Sequence, residues 1–381
     1  MSSHPNITEN NSPFTRLDFL DSLRCFAIIY VVVSHLALIP QPNLAIPEWI
    51  AAFIINGGDA GVSLFFVLSA FSLSYSMDAR SGEAMFTRKF YIRRFFRIVP
   101  LFYFMMLVYW IRDAFAFGIL HPVSELLINA SLLFNLIPAC ITGFVWASWT
   151  IGVMALLYLL FPLIRRCTRN LPAAIALLLA SVLIARGWFF FVVNYGEASG
   201  YLSGDQINFV WHFGFLQNLP AFVCGVVTYR LFFDYFIKMN QKTRQICGLI
   251  FIMSFLFLYA FLLTEGMQNV LWEKYILHGI CFSLLVLGLG LKPFRILVNT
   301  KTVYLGKASY SLYLLHPILI FTIIPLYRRL YGFMSADISG YLSSLLITLV
   351  LLTVIAIISY KYIERPGVAL GEKLIGRKWP V

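Results

Sequence analysis

The chain has 381 residues, of which 60% are hydrophobic and 12% charged, with a formal net charge of +12. A soluble domain carries about twice that charged fraction, so the composition excludes water as the main solvent of this protein. Net basic charge would suit a nucleic-acid partner, but here the charge alternates with apolar runs along the chain, which argues for membrane topology and against nucleic acid.

Residues 1–19 are polar and read as a short N-terminal segment with no cleavable signal. A bilayer core about 30 Å thick is crossed by roughly 20 apolar helical residues. Ten stretches fit, near 20–39, 60–77, 98–116, 146–164, 172–193, 212–233, 246–263, 275–291, 308–326 and 341–362. They are continuously apolar instead of alternating at every second residue, which opposes a β-barrel. The expected fold is therefore all-α: a polytopic bundle of about ten transmembrane helices over residues 20–363, followed by a basic tail, 364–381. Of the 29 Lys and Arg residues, 24 fall in alternate connections or at their edges, a distribution that predicts cytoplasmic N- and C-termini. The six cysteines show no metal or redox spacing and read as packing residues; no metal site and no resident cofactor are expected.

Ionisable groups inside a span are costly and point to function. The first span carries Asp21, Arg24 and His35. Asp21 and Arg24 are three apart and share a face. Arg24 and His35 are eleven apart, which completes about three turns and advances about 16 Å along the same face. The plainer readings are that Arg24 snorkels to headgroups and that His35 is a packed structural residue. Before the third span lies a second feature, with Lys89, Arg93, Arg94 and Arg97 within nine positions. Arg94 and Arg97 share a face. Such a cluster suits either anionic lipid headgroups or a soluble phosphorylated ligand, since two guanidinium forks one turn apart can grip phosphate oxygens.

Several motifs agree in order and placement. Leu20, Asp21, Leu23, Arg24 and His35 open the series; Gly58, Gly61, Val62, Phe65, Phe66, Ser69, Ala70 and Phe71 follow in the second span. Arg94 and Arg97 precede Pro100; then come Leu219-Pro220-Ala221-Phe222 with Gly225, the run Leu305 to His316, and Glu364-Arg365-Pro366. Together they resemble the acyltransferase-3 family of integral membrane O-acyltransferases over nearly the whole chain. Two positions depart from the family's pattern. Ala70 stands where the family has glycine, which is expected to widen helix packing slightly, and Met154 stands where many members have glutamate. If that glutamate assists catalysis elsewhere in the family, this chain uses another group or another acceptor.

The resemblance implies an enzyme of the plasma membrane, in a bacterium the inner membrane, that moves an acyl group, most often acetyl, from cytoplasmic acyl-CoA to a hydroxyl. The acceptor it implies is a surface polysaccharide or lipid-linked glycan. In that reading His35 is the catalytic residue, and Arg24, Arg94, Arg97, Arg93 and Lys89 bind the cofactor. Asp21, Ser309, Tyr310, His316, Trp149 and Glu364 support the site, Trp149 by stacking on a sugar. Two alternatives stand beside it: a transporter or flippase for a sugar- or phosphate-bearing lipid, and a family member that binds without turnover.

Overall fold

The computed structural model describes residues 17–196, 200, 202–264, 274–333 and 338–376. The expected N-terminal segment before residue 17 and the tail beyond residue 376 lie outside them. Every regular element among the described residues is a helix. In chain order these are α1 (Asp18–Leu38), α2 (Glu48–Asp78), α3 (Phe86–Arg112), α4 (Val123–Ala130), α5 (Trp149–Cys167), α6 (Leu171–Phe191), α7 (Gly204–Phe213) and α8 (Phe215–Arg230). They continue with α9 (Gln241–Leu262), α10 (Lys274–Leu291), α11 (Thr300–Lys307), α12 (Ser309–Thr322), α13 (Ile324–Phe333), α14 (Ile338–Ser359) and α15 (Arg365–Leu374).

Among the described residues eight helices are long and apolar enough to cross a membrane, or nine if a bent pair counts as one span. The bent pair is α12 and α13, which meet at 61° where a single span over 308–326 was expected. Pro325 explains the break, since it has no N–H to donate and its ring crowds the preceding turn. The apolar helix at 275–291 is shorter than the eight, so the expected count of ten is not reached on length and composition.

Helix α2 begins twelve residues before the expected start, at Glu48. The Asn56-Gly57-Gly58-Asp59 stretch reads as a breaker, yet it stays helical because α1 lies directly on it. A Cβ on Gly61 would fall 2.7 Å from the Ala27 carbonyl oxygen, and one on Gly57 2.7 Å from the Tyr30 ring. In a lipid solvent such close approach is what holds helices together. Helices α1 and α2 are the centre of the bundle, with α8, α10, α11 and α12 packed around them. By contrast α6, α9 and α14 turn Leu183, Phe257 and Leu346 outward, as lipid-facing helices do.

Candidate active site

A cavity of about 670 Å³ opens between the start of α1, the end of α2, the start of α3, and helices α5, α12 and α15. Its wall depends on α15 lying close to α3. Gly367 and Gly371 are one turn apart and leave room for Pro100 and Phe96; a Cβ on them would fall 2.6 Å and 2.7 Å from those side chains. This contact brings Arg365, Val368 and Glu372 to the cavity. Glu364, where the sequence places the beginning of the tail, is instead buried behind the wall, 1% exposed at the end of a π-helical turn.

Seven basic side chains line the cavity, Arg24, Arg80, Arg93, Arg94, Arg97, Lys307 and Arg365, against two acidic ones, Asp21 and Glu372. Several are fixed by partners. Arg24 pairs with Asp21 and donates to Ser72 Oγ at 2.5 Å. Arg93 pairs with Glu83 at 2.9 Å, and Arg97 pairs with Glu364 at 3.0 Å while Ser311 donates to the same carboxylate at 2.8 Å. Arg94 differs. Its guanidinium lies 5.8 Å from the rings of Phe90 and Tyr158, and its buried Nε has no hydrogen-bond partner. A buried donor left unpaired costs roughly 1–3 kcal/mol, so an acceptor entering the cavity would gain by pairing with Arg94.

The far end of the cavity is closed by Phe65, Phe66, Thr150 and Tyr313. Thr150 donates to the Tyr313 hydroxyl at 2.9 Å, and that hydroxyl donates to the Ala147 carbonyl at 3.1 Å. Behind this layer sit two histidines. The His316 ring lies 5.4 Å from the Tyr313 ring, and His35 Nδ1 lies 2.8 Å from His316 Nε2 with the rings 2° from parallel. Chemistry assigns the hydrogens. His316 Nδ1 bonds the Tyr313 carbonyl oxygen, which only accepts, so Nδ1 carries the hydrogen. In the neutral ring His316 Nε2 is then bare and accepts from His35 Nδ1–H. His35 Nε2 is left with its lone pair, next to Gly58, where a Cβ would lie 3.6 Å away. This is the arrangement a proton acceptor needs.

The structure thus brings Asp21, Arg24, Arg93, Arg94, Arg97, Ser309 and Tyr310 to one cavity, and joins His35 to His316 just beyond it. Two expected residues lie elsewhere. Lys89 is not in the cavity wall and faces Glu83 at 3.7 Å. Trp149 is 9% exposed and packs against Phe213 and Phe66, so its indole offers no open face for a sugar. Trp146, three residues earlier, is 44% exposed and sits edge-on to His35 at 5.2 Å. Arg80, Lys307 and Arg365 were missed as cavity residues. Their charge follows the topology, but no spacing in the sequence links them to α3.

The sequence profile of the acyltransferase domain family, Acyl_transf_3, matches residues 17–361. ORF330 of Acidianus two-tailed virus, described as a candidate acetyltransferase, is 26% identical over 306 residues, covering 77% of this chain and 80% of its own. Acyltransferase MdmB of Streptomyces mycarofaciens is 31% identical over 171 residues, 41% of each chain. Peptidoglycan O-acetyltransferase OatA of Listeria monocytogenes is 22% identical over 350 residues, 80% of this chain but 49% of OatA. No solved structure matches.

Proposed function

The chain belongs to the acyltransferase domain family and is a multi-pass membrane acyltransferase; from that premise we propose that it transfers an acyl group, acetyl in the first instance, from cytoplasmic acyl-CoA to a hydroxyl of a glycan or lipid-linked glycan. One observation carries the reading: a bare imidazole nitrogen, His35 Nε2, stands one side-chain layer beyond a cavity with seven basic residues. The positive-inside distribution of Lys and Arg supports a cytoplasmic side for the cavity, where a thioester donor is made. The phosphates of acyl-CoA are polyanionic, and Arg94, Arg97 and Arg24 supply forked donors for them.

A hydroxyl oxygen attacks the thioester carbonyl carbon while His35 Nε2 takes the hydroxyl proton. The tetrahedral oxyanion collapses, the carbon–sulfur bond breaks, and the proton passes from His35 to the departing thiolate, leaving an ester and free CoA. Base assistance of this kind contributes roughly 10²–10⁴ in rate. His316 does not touch the reacting atoms; it fixes the tautomer and orientation of His35. The acceptor class is supported by the similarity to OatA, a peptidoglycan O-acetyltransferase.

The test is a comparison of acyl esters on cell-surface glycans between a deletion strain and strains restored with the intact chain or His35→Ala. Esters restored by the intact chain alone support the reading; equal restoration by both removes His35 from the chemistry.

A further inference from the structure

One polar constellation near His35 plays no part in the donor cavity: Asp59 of α2, His212 of α7 and Tyr275 of α10. His212 Nε2 lies 3.1 Å from Asp59 Oδ1, and the Tyr275 hydroxyl lies 2.9 Å from His212 Nδ1. An ionised carboxylate only accepts, so Nε2 carries the hydrogen; the Tyr275 hydroxyl hydrogen faces two acceptors, the bare Nδ1 of the neutral ring and the His212 carbonyl oxygen at 3.2 Å. The three groups form a chain that ends on Asp59. It is open to the surroundings, with the Asp59 and His212 side chains 21% and 38% exposed. Asp59 follows Gly58, the residue that leaves space beside His35 Nε2. Trp146 presents an exposed indole on the same histidine.

We propose that Trp146, Gly58 and the Asp59–His212 pair form the acceptor site, built for an uncharged or amino sugar ring. The proposal rests on the acyl-transfer reading and names its second substrate site. A sugar ring has an apolar C–H face and a rim of hydroxyls. An exposed indole meets the first, and a carboxylate, which accepts several hydrogen bonds at once, meets the second. The carboxylate repels an anionic acceptor, so phosphate-bearing or acidic rings are disfavoured. Gly58 leaves the room through which the attacking hydroxyl reaches Nε2. Position 154 contributes only the apolar Met154 to the cavity wall, whereas Asp59, next to Gly58, supplies a carboxylate from α2.

The experiment is calorimetric titration of the purified full chain, in a detergent without a sugar headgroup, with the methyl glycosides of glucose, galactose and N-acetylglucosamine. Wild type is compared with Trp146→Ala, Trp146→Phe and Asp59→Asn, and each protein is also titrated with acetyl-CoA. The expected result is binding of at least one glycoside by wild type, weakened about tenfold or more in Trp146→Ala and Asp59→Asn, as loss of a stacking face or a charge-assisted hydrogen bond requires. Trp146→Phe keeps most of the affinity, and acetyl-CoA binding is unchanged throughout. Unaltered glycoside binding in both Trp146→Ala and Asp59→Asn, or no glycoside binding by wild type, overturns the site. Should Trp146→Ala fail to fold, the contrast between Asp59→Asn and Trp146→Phe decides in its place. Glycoside binding without acetyl-CoA binding in wild type refutes the donor reading and leaves this site standing.

Discussion

Helix α1 carries Arg24 and His35 about 16 Å apart along one face, and the two ends meet opposite surroundings. At Arg24 the helix faces a wide cavity where basic side chains outnumber acidic ones and several guanidinium groups are held by carboxylates. At His35 it meets a second histidine through a directed hydrogen bond, with an indole edge and a glycine beside the ring. The difference separates two tasks. Holding a polyanion needs summed charge and forked donors, which tolerate some displacement. Moving one proton needs a single lone pair at a set position, which does not.

The sharpest way to break this division is at the histidine end. His35→Ala is expected to lower transfer on the order of a thousandfold, within the range for a lost general base, while acetyl-CoA binding to the purified variant stays at the wild-type value. A matched loss of acetyl-CoA binding would merge the two ends into one site. Next in size is His316→Asn, which removes the acceptor for His35 Nδ1–H but leaves the base in place. A kcat lower by about a hundredfold is expected, with little change in KM for either substrate, because a mis-set tautomer damages the chemical step. Equal falls in kcat and protein yield would instead mark His316 as a folding residue.

At the arginine end, Arg94→Ala should weaken acetyl-CoA binding by roughly ten- to a hundredfold, the size of one lost charge-assisted contact. Arg94→Lys should recover only part, since lysine lacks the planar fork. Full recovery by lysine would mean that summed charge alone operates there. A smaller effect is expected from Gly58→Ala, whose methyl would lie 3.6 Å from His35 Nε2 and 3.2 Å from Ser34 Oγ. It should raise the acceptor KM about tenfold, as one misplaced methyl does in a fitted pocket, with donor KM unchanged.

The smallest effect lies away from both ends. His121 is bonded through Nε2 to Asp113 and through Nδ1 to Glu125, each at 2.9 Å. Burial opposes charge on this ring, but the hydrogen bonds of the two carboxylates outweigh it and hold the pKa above the ordinary 6.5. A raised folded-state pKa means that this clamp is fully present below pH 6.5 and is lost as pH rises through the higher folded value. Hydrogen exchange in α4 should therefore speed up across that window in wild type. In His121→Gln the dependence should be absent; its persistence would place the titrating group elsewhere.

Much of the helical order and the first half of the site could be read in the sequence, because both obey short periodicities. Arg24 and His35 recur on one face of one helix, and Arg94 and Arg97 do the same. The remainder depends on contacts that no local pattern encodes. His316 reaches His35 across 281 positions. Asp59 falls in the connection expected before the apolar span at 60–77, yet it is helical, because packing of α1 on Gly57 and Gly61 extends the helix past the apolar run. Ala70 was expected to widen the helix packing. Its neighbour on α8 is Gly225, where a Cβ would lie 2.8 Å from that of Ala70, so the missing glycine has a counterpart across the contact. The two tryptophans show the limit most clearly. Ala147 lies between them with φ of 64°, a left-handed conformation uncommon without glycine. Trp149 therefore packs inward while Trp146 faces the surroundings.

The layer formed by Phe65, Phe66, Thr150 and Tyr313 has a meaning for the cell as well as for the substrate. A tunnel joining a cytoplasmic cavity to an outer acceptor site would also carry protons and small ions, and a membrane with such a leak cannot hold a voltage. Tyr313, held by the Thr150–Tyr313–Ala147 hydrogen bonds, and the rings of Phe65 and Phe66 beside it would, on the proposed reading, act as an electrical seal. On the proposed donor reading, a slender thioester arm reaching His35 would displace one of these rings and fill the gap it leaves, so the seal would yield to the acyl group without opening to water.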